Sequence, residues 1–345
     1  MAEPYFSLSD ADRAEVLEVG RERTGRPAHL MEKDIWVVWT LGTLFGSPVG
    51  TDLTFKGGTS LSKAYRIIDR FSEDLDLTYD IRKLIADLTG GEEFLPASRS
   101  QASKWTKAVR DRLPAWIAGT VQPVIQDALD KAKLGAKLEV AGADKDKLLL
   151  HYQAVKQGTG YVAPVVTLEF GGRATGEPHA AIPVACDIDG HVDGVTFPTA
   201  SPVVMSVART FWEKATAAHV YCAQGRIRGE RYARHWHDLA AIMRSSHFDA
   251  VVNDREVARA VAEHKSYFFP EKDAAGNTVD YFAAIAGTLH VVPKGAAREA
   301  LALDYASMLE DQVMVGDALP FEDLMLACAE VAARANGAPT TTARP

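Results

Sequence analysis

The sequence predicts an α+β protein with a mixed β-sheet in an N-terminal lobe and a helical C-terminal lobe. Between residues 53 and 188, short runs of alternating or β-branched apolar residues recur, a pattern typical of strands. From Ser206 onward, apolar residues recur mostly at helical spacing. We therefore predict lobes at residues 1–206 and 207–336, followed by a disordered tail at 337–345.

The N-terminal lobe begins with two predicted helices, which Gly25 and Pro27 separate. A strand–helix–strand unit follows, and after it comes a long helical region with interruptions expected near Pro114 and Pro123. In chain order, the predicted elements of this lobe are helices 8–24 and 27–45, the unit 53–79, the helical region 98–134, and strands 137–142, 147–153, 164–170 and 180–188. The predicted helices of the C-terminal lobe are 207–223, 230–244, 254–265, 295–313 and 321–335.

Composition places the chain among soluble globular proteins. Of its 345 residues, 47% are hydrophobic and 24% are charged. The sequence has no run of about 18 apolar residues, the length needed to cross a membrane. The N-terminus has acids where a signal peptide needs a basic end, and the three cysteines form no metal or disulfide pattern. We expect a protein of the cytoplasm. A net charge of −8 excludes indiscriminate coating of nucleic acid but permits a local basic surface.

The segment from Lys56 to Leu77 points most directly to a chemistry. A short strand runs into Gly57-Gly58, and the glycines let backbone N–H groups approach phosphate oxygens at the start of a helix. Asp74 and Asp76 follow on a strand, where residues two apart share one face. Two such carboxylates can hold a pair of divalent cations about 3.5–4 Å apart. A phosphate site followed by such an acid pair predicts nucleotidyl transfer, with two divalent cations as cofactors.

A third acid can complete such a site. Glu169 lies in a predicted strand, on the same face as Val165 and Thr167. It is therefore a candidate third metal ligand, and the alternative is an ordinary exposed strand acid.

The predicted helix 207–223 carries Lys214 on the border of its apolar stripe. A lysine placed there can lay its stem along the core and present its ammonium group to a triphosphate, although many such lysines only improve solubility. Together with the strand–helix–strand unit, this gives a predicted nucleotide site of Lys56, Gly57, Gly58, Thr59, Ser60, Arg70 and Lys214.

The next predicted helix carries Arg231, Arg234, His235 and Asp238 at spacings that give one polar face. The simple alternative is an Arg234–Asp238 ion pair along an exposed helix. We predict that the acid pair of Asp74 and Asp76 is catalytic. The basic cluster of Arg226, Arg228, Arg231 and Arg234 is the predicted RNA-binding surface, or else a solvated face. Motifs of zinc proteases, serine hydrolases and P-loop ATPases are absent from the sequence.

Several motifs together resemble the AbiEii/AbiGii-type nucleotidyltransferase toxins, including the MenT-like proteins, of the polymerase-β-like superfamily. The matching segments are EKDIWVVWTL (32–41), FKGGTSLSKAY (55–65), RFSEDLDL (70–77), ARTFWEKATAAH (208–219), RYARHWHDLAAI (231–242), HKSYFF (264–269) and DYASMLEDQVMVGDALPFEDLM (304–325).

The resemblance implies a nucleotidyltransferase fold in which Gly58, Thr59 and Ser60 hold the triphosphate and Asp74 and Asp76 bind magnesium. It implies active-site roles for Lys214 and Asp238, so that the helical lobe completes the active site. It also implies a toxin of a bacterial toxin–antitoxin or phage-defence pair that adds nucleotides to RNA, notably tRNA ends, and that a cognate antitoxin neutralises. The alternatives are transfer to a small molecule or protein hydroxyl, and an inactive nucleotide- or RNA-binding module.

Overall fold

The computed structural model describes residues 2–72, 74–156, 163–227, 231–310, 314 and 318–337. It confirms the α+β class. The chain divides into two compact units. The first comprises Met1–Ala64, Phe71–Phe94 and Trp105–Val204, and the second comprises Tyr65–Arg70, Leu95–Lys104 and Met205–Pro345.

The strands are β1 Glu3–Pro4, β2 Leu53–Lys56, β3 Asp74–Tyr79, β4 Ala136–Ala141, β5 Lys147–Tyr152, β6 Val165–Gly171, β7 His179–Ala181, β8 Val184–Ala185, β9 Val195–Thr196, β10 Thr199–Ala200 and β11 Val203–Met205. Seven of them form a mixed sheet in the order β4-β5-β6-β3-β2-β11-β7. The pairs β3–β6 and β2–β11 are parallel, whereas β2–β3, β4–β5 and β5–β6 are antiparallel. The predicted strand 180–188 is broken into β7 and β8, because Pro183 between them has no N–H for a ladder.

The helices are α1 Asp10–Thr24, α2 Ala28–Phe45, α3 Gly57–Lys63, α4 Ile81–Leu84, α5 Ala86–Thr89, α6 Arg99–Trp116, α7 Gln122–Ala132, α8 Val207–Gln224, α9 Ala233–Arg244, α10 Phe248–Asn253, α11 Arg255–Phe268, α12 Tyr281–Ala283, α13 Gly295–Glu310 and α14 Phe321–Gly337. Among the helices described here, none has the length and apolar character that a membrane span requires.

One face of the large sheet carries the core of the first unit. Along β5, β6 and the first four residues of β3, buried residues alternate with half-exposed ones, as expected for strands with one covered face. Helix α2 packs against β6, and its Trp36 ring stacks on Tyr152 of β5 at 5.1 Å between ring centroids. The alternating pattern leaves the other face free to carry polar side chains.

The junction between α6 and α7 differs from the sequence prediction. Pro114 does not end α6, which continues to Trp116 and is joined to α7 by a π turn at Ile117–Val121. Pro123 lacks the N–H that would bond to the carbonyl of residue 119, so the wider turn accommodates the missing bond.

Helix α9 is the centre of the second unit and contacts α8, α13 and α14. Its Trp236 is fully buried and donates its indole N–H to the Val291 carbonyl at 2.6 Å. The helix begins at Ala233 instead of residue 230, because the Asp304 carboxylate accepts the backbone N–H groups of Arg231 and Ala233, each at 2.6 Å. A distant acid therefore caps this helix, and Arg231 lies outside it.

Candidate active site

The open face of the sheet in the first unit presents the predicted acid pair. Asp74 and Asp76 of β3 are partly exposed, while Leu75 and Leu77 between and after them are fully buried. In the parallel pairing of β3 with β6, Asp76 stands directly opposite Glu169. Register therefore brings the candidate third acid to the same row of the sheet as Asp76.

Lysines flank these acids in the same row. Lys56 of β2 stands opposite Asp76, and Lys147 of β5 stands opposite Glu169. The Lys147 ammonium forms an ion pair with Glu169 Oε1, and this hydrogen bond raises the pKa of Lys147. Across four strands the row reads Lys56, Asp76, Glu169 and Lys147.

The glycine turn at the start of α3 lies against the acid pair. Gly57 has φ +81°, and a Cβ added there would lie 1.9 Å from Oδ2 of Asp76. Only glycine permits both this backbone conformation and this close approach. The peptide groups of the turn and the Asp76 carboxylate therefore adjoin directly.

The hydroxyl groups of the turn have internal partners. Thr59 Oγ1 donates to the Asp74 carbonyl at 2.6 Å and lies 2.9 Å from Ser72 Oγ. Ser60 Oγ donates to the Gly57 carbonyl at 2.9 Å, and Thr59 and Ser60 are both fully buried. These side chains hold α3 and β3 together, so any contact of the turn with a phosphate would come from its backbone N–H groups.

The chemistry of the acid face suits a hard divalent cation. Its donors are carboxylate oxygens, which Mg²⁺ prefers, and Asp74, Asp76 and Glu169 all lie on the open side of the sheet. Within the described residues, no three His, Cys, Asp or Glu side chains are already grouped so that they could hold a metal ion.

A buried charge cluster occupies the second unit. Asp238 is fully buried and accepts two hydrogen bonds from Arg70, from Nε at 2.9 Å and from Nη2 at 2.8 Å. The Lys214 ammonium lies 2.9 Å from Oδ2 of the same carboxylate, and its side chain is only 11% exposed. Three of the predicted site residues, from three separate parts of the sequence, therefore meet in one cluster.

The cluster carries excess positive charge. Burial alone would raise the pKa of Asp238, but the charges of Arg70 and Lys214 hold it well below its usual range. Burial and then the Lys214 charge lower the pKa of His235 to about 3, so its imidazole is neutral at pH 7. No described residue offers a hydrogen-bond partner to Nη1 of Arg70, which is buried. Because two cations surround one carboxylate, the cluster has the net positive charge to bind a further anion.

The predicted RNA-binding arginines are partly visible in the structure. Arg226 is exposed just after α8, Arg231 is exposed before α9, and Arg234 is half-buried in α9. Arg228 lies outside the described residues. The expected single polar face of Arg231, Arg234 and Asp238 is wrong, since Arg231 precedes the helix and Asp238 is fully buried.

A second buried network was missed by the motif reasoning. The Lys63 ammonium, at the end of α3, lies 2.6 Å from Asp34 Oδ1 and 2.7 Å from Asp187 Oδ1, and Arg26 pairs with the other oxygen of Asp187. Burial raises the pKa of Asp34 despite Lys63. The available signal was Asp34 itself, a charged residue in the strongly apolar helix α2. This network fixes α3, the helix that begins with the glycine turn.

A family model described as "Nucleotidyl transferase AbiEii toxin, Type IV TA system" matches residues 40–327. Among solved structures, the nucleotidyltransferase toxin MenT4 from Mycobacterium tuberculosis H37Rv matches with 18% identity and a TM-score of 0.42, covering 95% of this chain and 98% of that one. Among curated proteins, none matches significantly. Because the family model spans most of the chain, the protein belongs to the AbiEii nucleotidyltransferase toxins of type IV toxin–antitoxin systems.

Proposed function

We propose that the protein transfers a nucleoside monophosphate from an NTP to the 3′ end of an RNA, with tRNA as the expected class, in a magnesium-dependent reaction. The observation that carries this proposal is the contact between the glycine turn and the acid face. Gly57 approaches the Asp76 carboxylate so closely that no other residue fits. Groups suited to phosphate and groups suited to a divalent cation thus lie side by side, as nucleotidyl transfer requires.

In this reaction, a terminal ribose hydroxyl attacks the α-phosphorus of the NTP. A new O–P bond forms, the bond from the α-phosphorus to its bridging oxygen breaks, pyrophosphate leaves, and the hydroxyl proton passes to solvent. Asp74 and Asp76, with Glu169 as the third acid, would hold magnesium, which neutralises phosphate charge when bound. The turn from Lys56 to Ser60 would position the phosphates, so positioning and electrostatics would supply most of the rate.

Lys214 and Arg70 would contribute positive charge to nucleotide binding. Lys214 and Arg70 carry two charges against the single charge of Asp238. We assign to Lys214 and Arg70 the binding of triphosphate oxygens, and to Asp238 the task of holding both cations in place. The single carboxylate of Asp238 neutralises only one of these two charges.

The acceptor RNA needs a local basic surface because the whole chain carries a net charge of −8. We assign this role to Arg226, Arg228, Arg231 and Arg234, of which Arg226 and Arg231 are exposed. Arginine suits phosphate because its guanidinium can form two parallel hydrogen bonds.

The type IV family implies a nucleotide substrate and an antitoxin partner. We infer that the antitoxin is encoded separately, that it neutralises the transferase, and that the pair serves phage defence. Unopposed transfer to RNA ends would then be the toxic event.

The test is a transfer assay with purified protein, each α-labelled NTP in turn, Mg²⁺ and either total RNA or purified tRNA. We expect label in RNA from the wild type and none from Asp76→Asn, which removes one carboxylate charge but keeps the side-chain size. Label in protein or in small molecules instead would identify another acceptor. Absence of any label, with folded protein and every RNA fraction tested, would contradict the proposal.

A further inference from the structure

The row of charges across the sheet contains an ion pair. Lys147 pairs with Glu169, and the two side chains are 37% and 38% exposed. The same Glu169 stands opposite Asp76 on the next strand. The acid that would complete the metal site is therefore already occupied by a lysine ammonium.

We propose that Lys147 competes with the divalent cation for the Glu169 carboxylate, and so sets how tightly the acid face binds metal. This inference rests on the proposed function, in which Asp74 and Asp76 bind the cation. When the cation binds, Glu169 exchanges the lysine for the metal, and the Lys147 side chain turns toward solvent. Lys147 thus acts on metal binding through its ion pair with Glu169.

The arrangement makes this exchange physically accessible. Both partners are more than a third exposed, so water reaches the pair and replaces the lost contact at small cost. The lysine stem is flexible, and its ammonium can stay hydrated after release. A pair of this kind is worth about 0.2–1 kcal/mol, which predicts cation binding about 1.4- to 5-fold tighter once the lysine is removed.

The experiment measures binding of Mn²⁺ alone, as a probe for Mg²⁺, by titration calorimetry or by the electron paramagnetic resonance of the free ion. Lys147→Met removes the charge, and Lys147→Arg keeps it. Lys107→Met is the matched control, because Lys107 forms an ion pair with Asp111 on α6, in the same unit but on a helix surface. Glu169→Gln removes the contested carboxylate, and thermal unfolding of each variant checks the fold.

We expect Lys147→Met to bind Mn²⁺ about 1.4- to 5-fold more tightly than the wild type, with the gain shrinking at high salt. Lys147→Arg and Lys107→Met should match the wild type. Adding Glu169→Gln should remove the gain, which a double-mutant cycle detects. Equal affinity of Lys147→Met and Lys107→Met, in a wild type that binds Mn²⁺, overturns the role of Lys147 and leaves the proposed function standing. If neither the wild type nor Lys147→Met binds Mn²⁺, both proposals fail.

Discussion

Replacing Asp238 with alanine tests the buried cluster of the second unit. The substitution removes a fully buried carboxylate and leaves the Arg70 guanidinium, 3% exposed, without its two hydrogen bonds. Lys214, 11% exposed, loses the same partner. Removing one member of a buried ion pair typically costs 3–5 kcal/mol because the remaining charge is uncompensated. We therefore expect Asp238→Ala to destabilise the protein by about 3–5 kcal/mol, a large part of the usual stability of a domain.

Lys214→Met is the matched comparison. It leaves the two Arg70–Asp238 hydrogen bonds in place, so the buried carboxylate keeps a charged partner. We expect a loss of about 1.5–3 kcal/mol at most, the range for one hydrogen bond to a charged group. Nucleotide transfer should nevertheless fall severely in Lys214→Met if its ammonium binds the triphosphate.

Urea unfolding followed by tryptophan fluorescence measures both effects, since the fully buried Trp236 lies in the same helix as Asp238. The pH dependence gives a second measurement. The folded-state pKa of Asp238 lies below its ordinary value of 3.8. Its stabilisation is therefore present above that value and is lost as the pH falls through the folded-state pKa. Below about pH 4, wild-type stability should decline more steeply than that of Asp238→Ala.

The result that refutes this reasoning is a small loss. If Asp238→Ala costs less than about 1 kcal/mol, the arginine and lysine find other partners or water, and the cluster is not a fixed charge network. If Lys214→Met destabilises the protein as much as Asp238→Ala does, the two hydrogen bonds from Arg70 are not enough to stabilise the buried carboxylate.

Two further predictions concern the glycine turn and the RNA surface. Gly57→Ala should abolish transfer, since the added Cβ would lie 1.9 Å from Asp76 Oδ2. The control is Gly90→Ala, which should keep activity, because Gly90 is also at positive φ but a Cβ added there has nothing within 4 Å. Equal activity of the two variants would contradict the close approach of Gly57 to Asp76. Neutralising Arg226 and Arg228 together should weaken RNA binding and reduce its salt dependence, by about 0.7 units of log–log slope per lost phosphate contact on a single strand, with nucleotide affinity unchanged. Titrations at several salt concentrations measure this, and the reverse pattern would move these arginines to the nucleotide site.

The sequence was sufficient to predict the acid face. Strand periodicity placed Asp74 and Asp76 on one side of β3, and it placed Glu169 on the corresponding side of β6. Periodicity could not supply register, which is a property of two strands together. Only the structure pairs Asp76 with Glu169, and Glu169 in turn with Lys147.

Buried ion pairs were harder to predict, because their partners are distant in sequence. Helical spacing suggested a polar face containing Asp238, and the alternative was a local ion pair of Asp238 with Arg234. In the structure, Asp238 is buried and binds Arg70, 168 residues earlier in the chain. The predicted start of α9 was wrong for the same reason, since its cap comes from the distant Asp304 and no residue near the helix start indicates it.

Charge balance distinguishes the surroundings of Lys63 from those of Lys214. Lys63 lies in a network where it and Arg26 face Asp34 and Asp187, so two positive groups meet two negative ones. Such a balanced network needs nothing from outside and serves to fix α3. Lys214 lies in a cluster where two cations share one carboxylate, and the buried Arg70 Nη1 has no hydrogen-bond partner among the residues that the structure describes. A buried excess charge is costly to keep unless a ligand uses it, so this imbalance, more than the lysine's place in a motif, argues that Lys214 binds an anionic substrate.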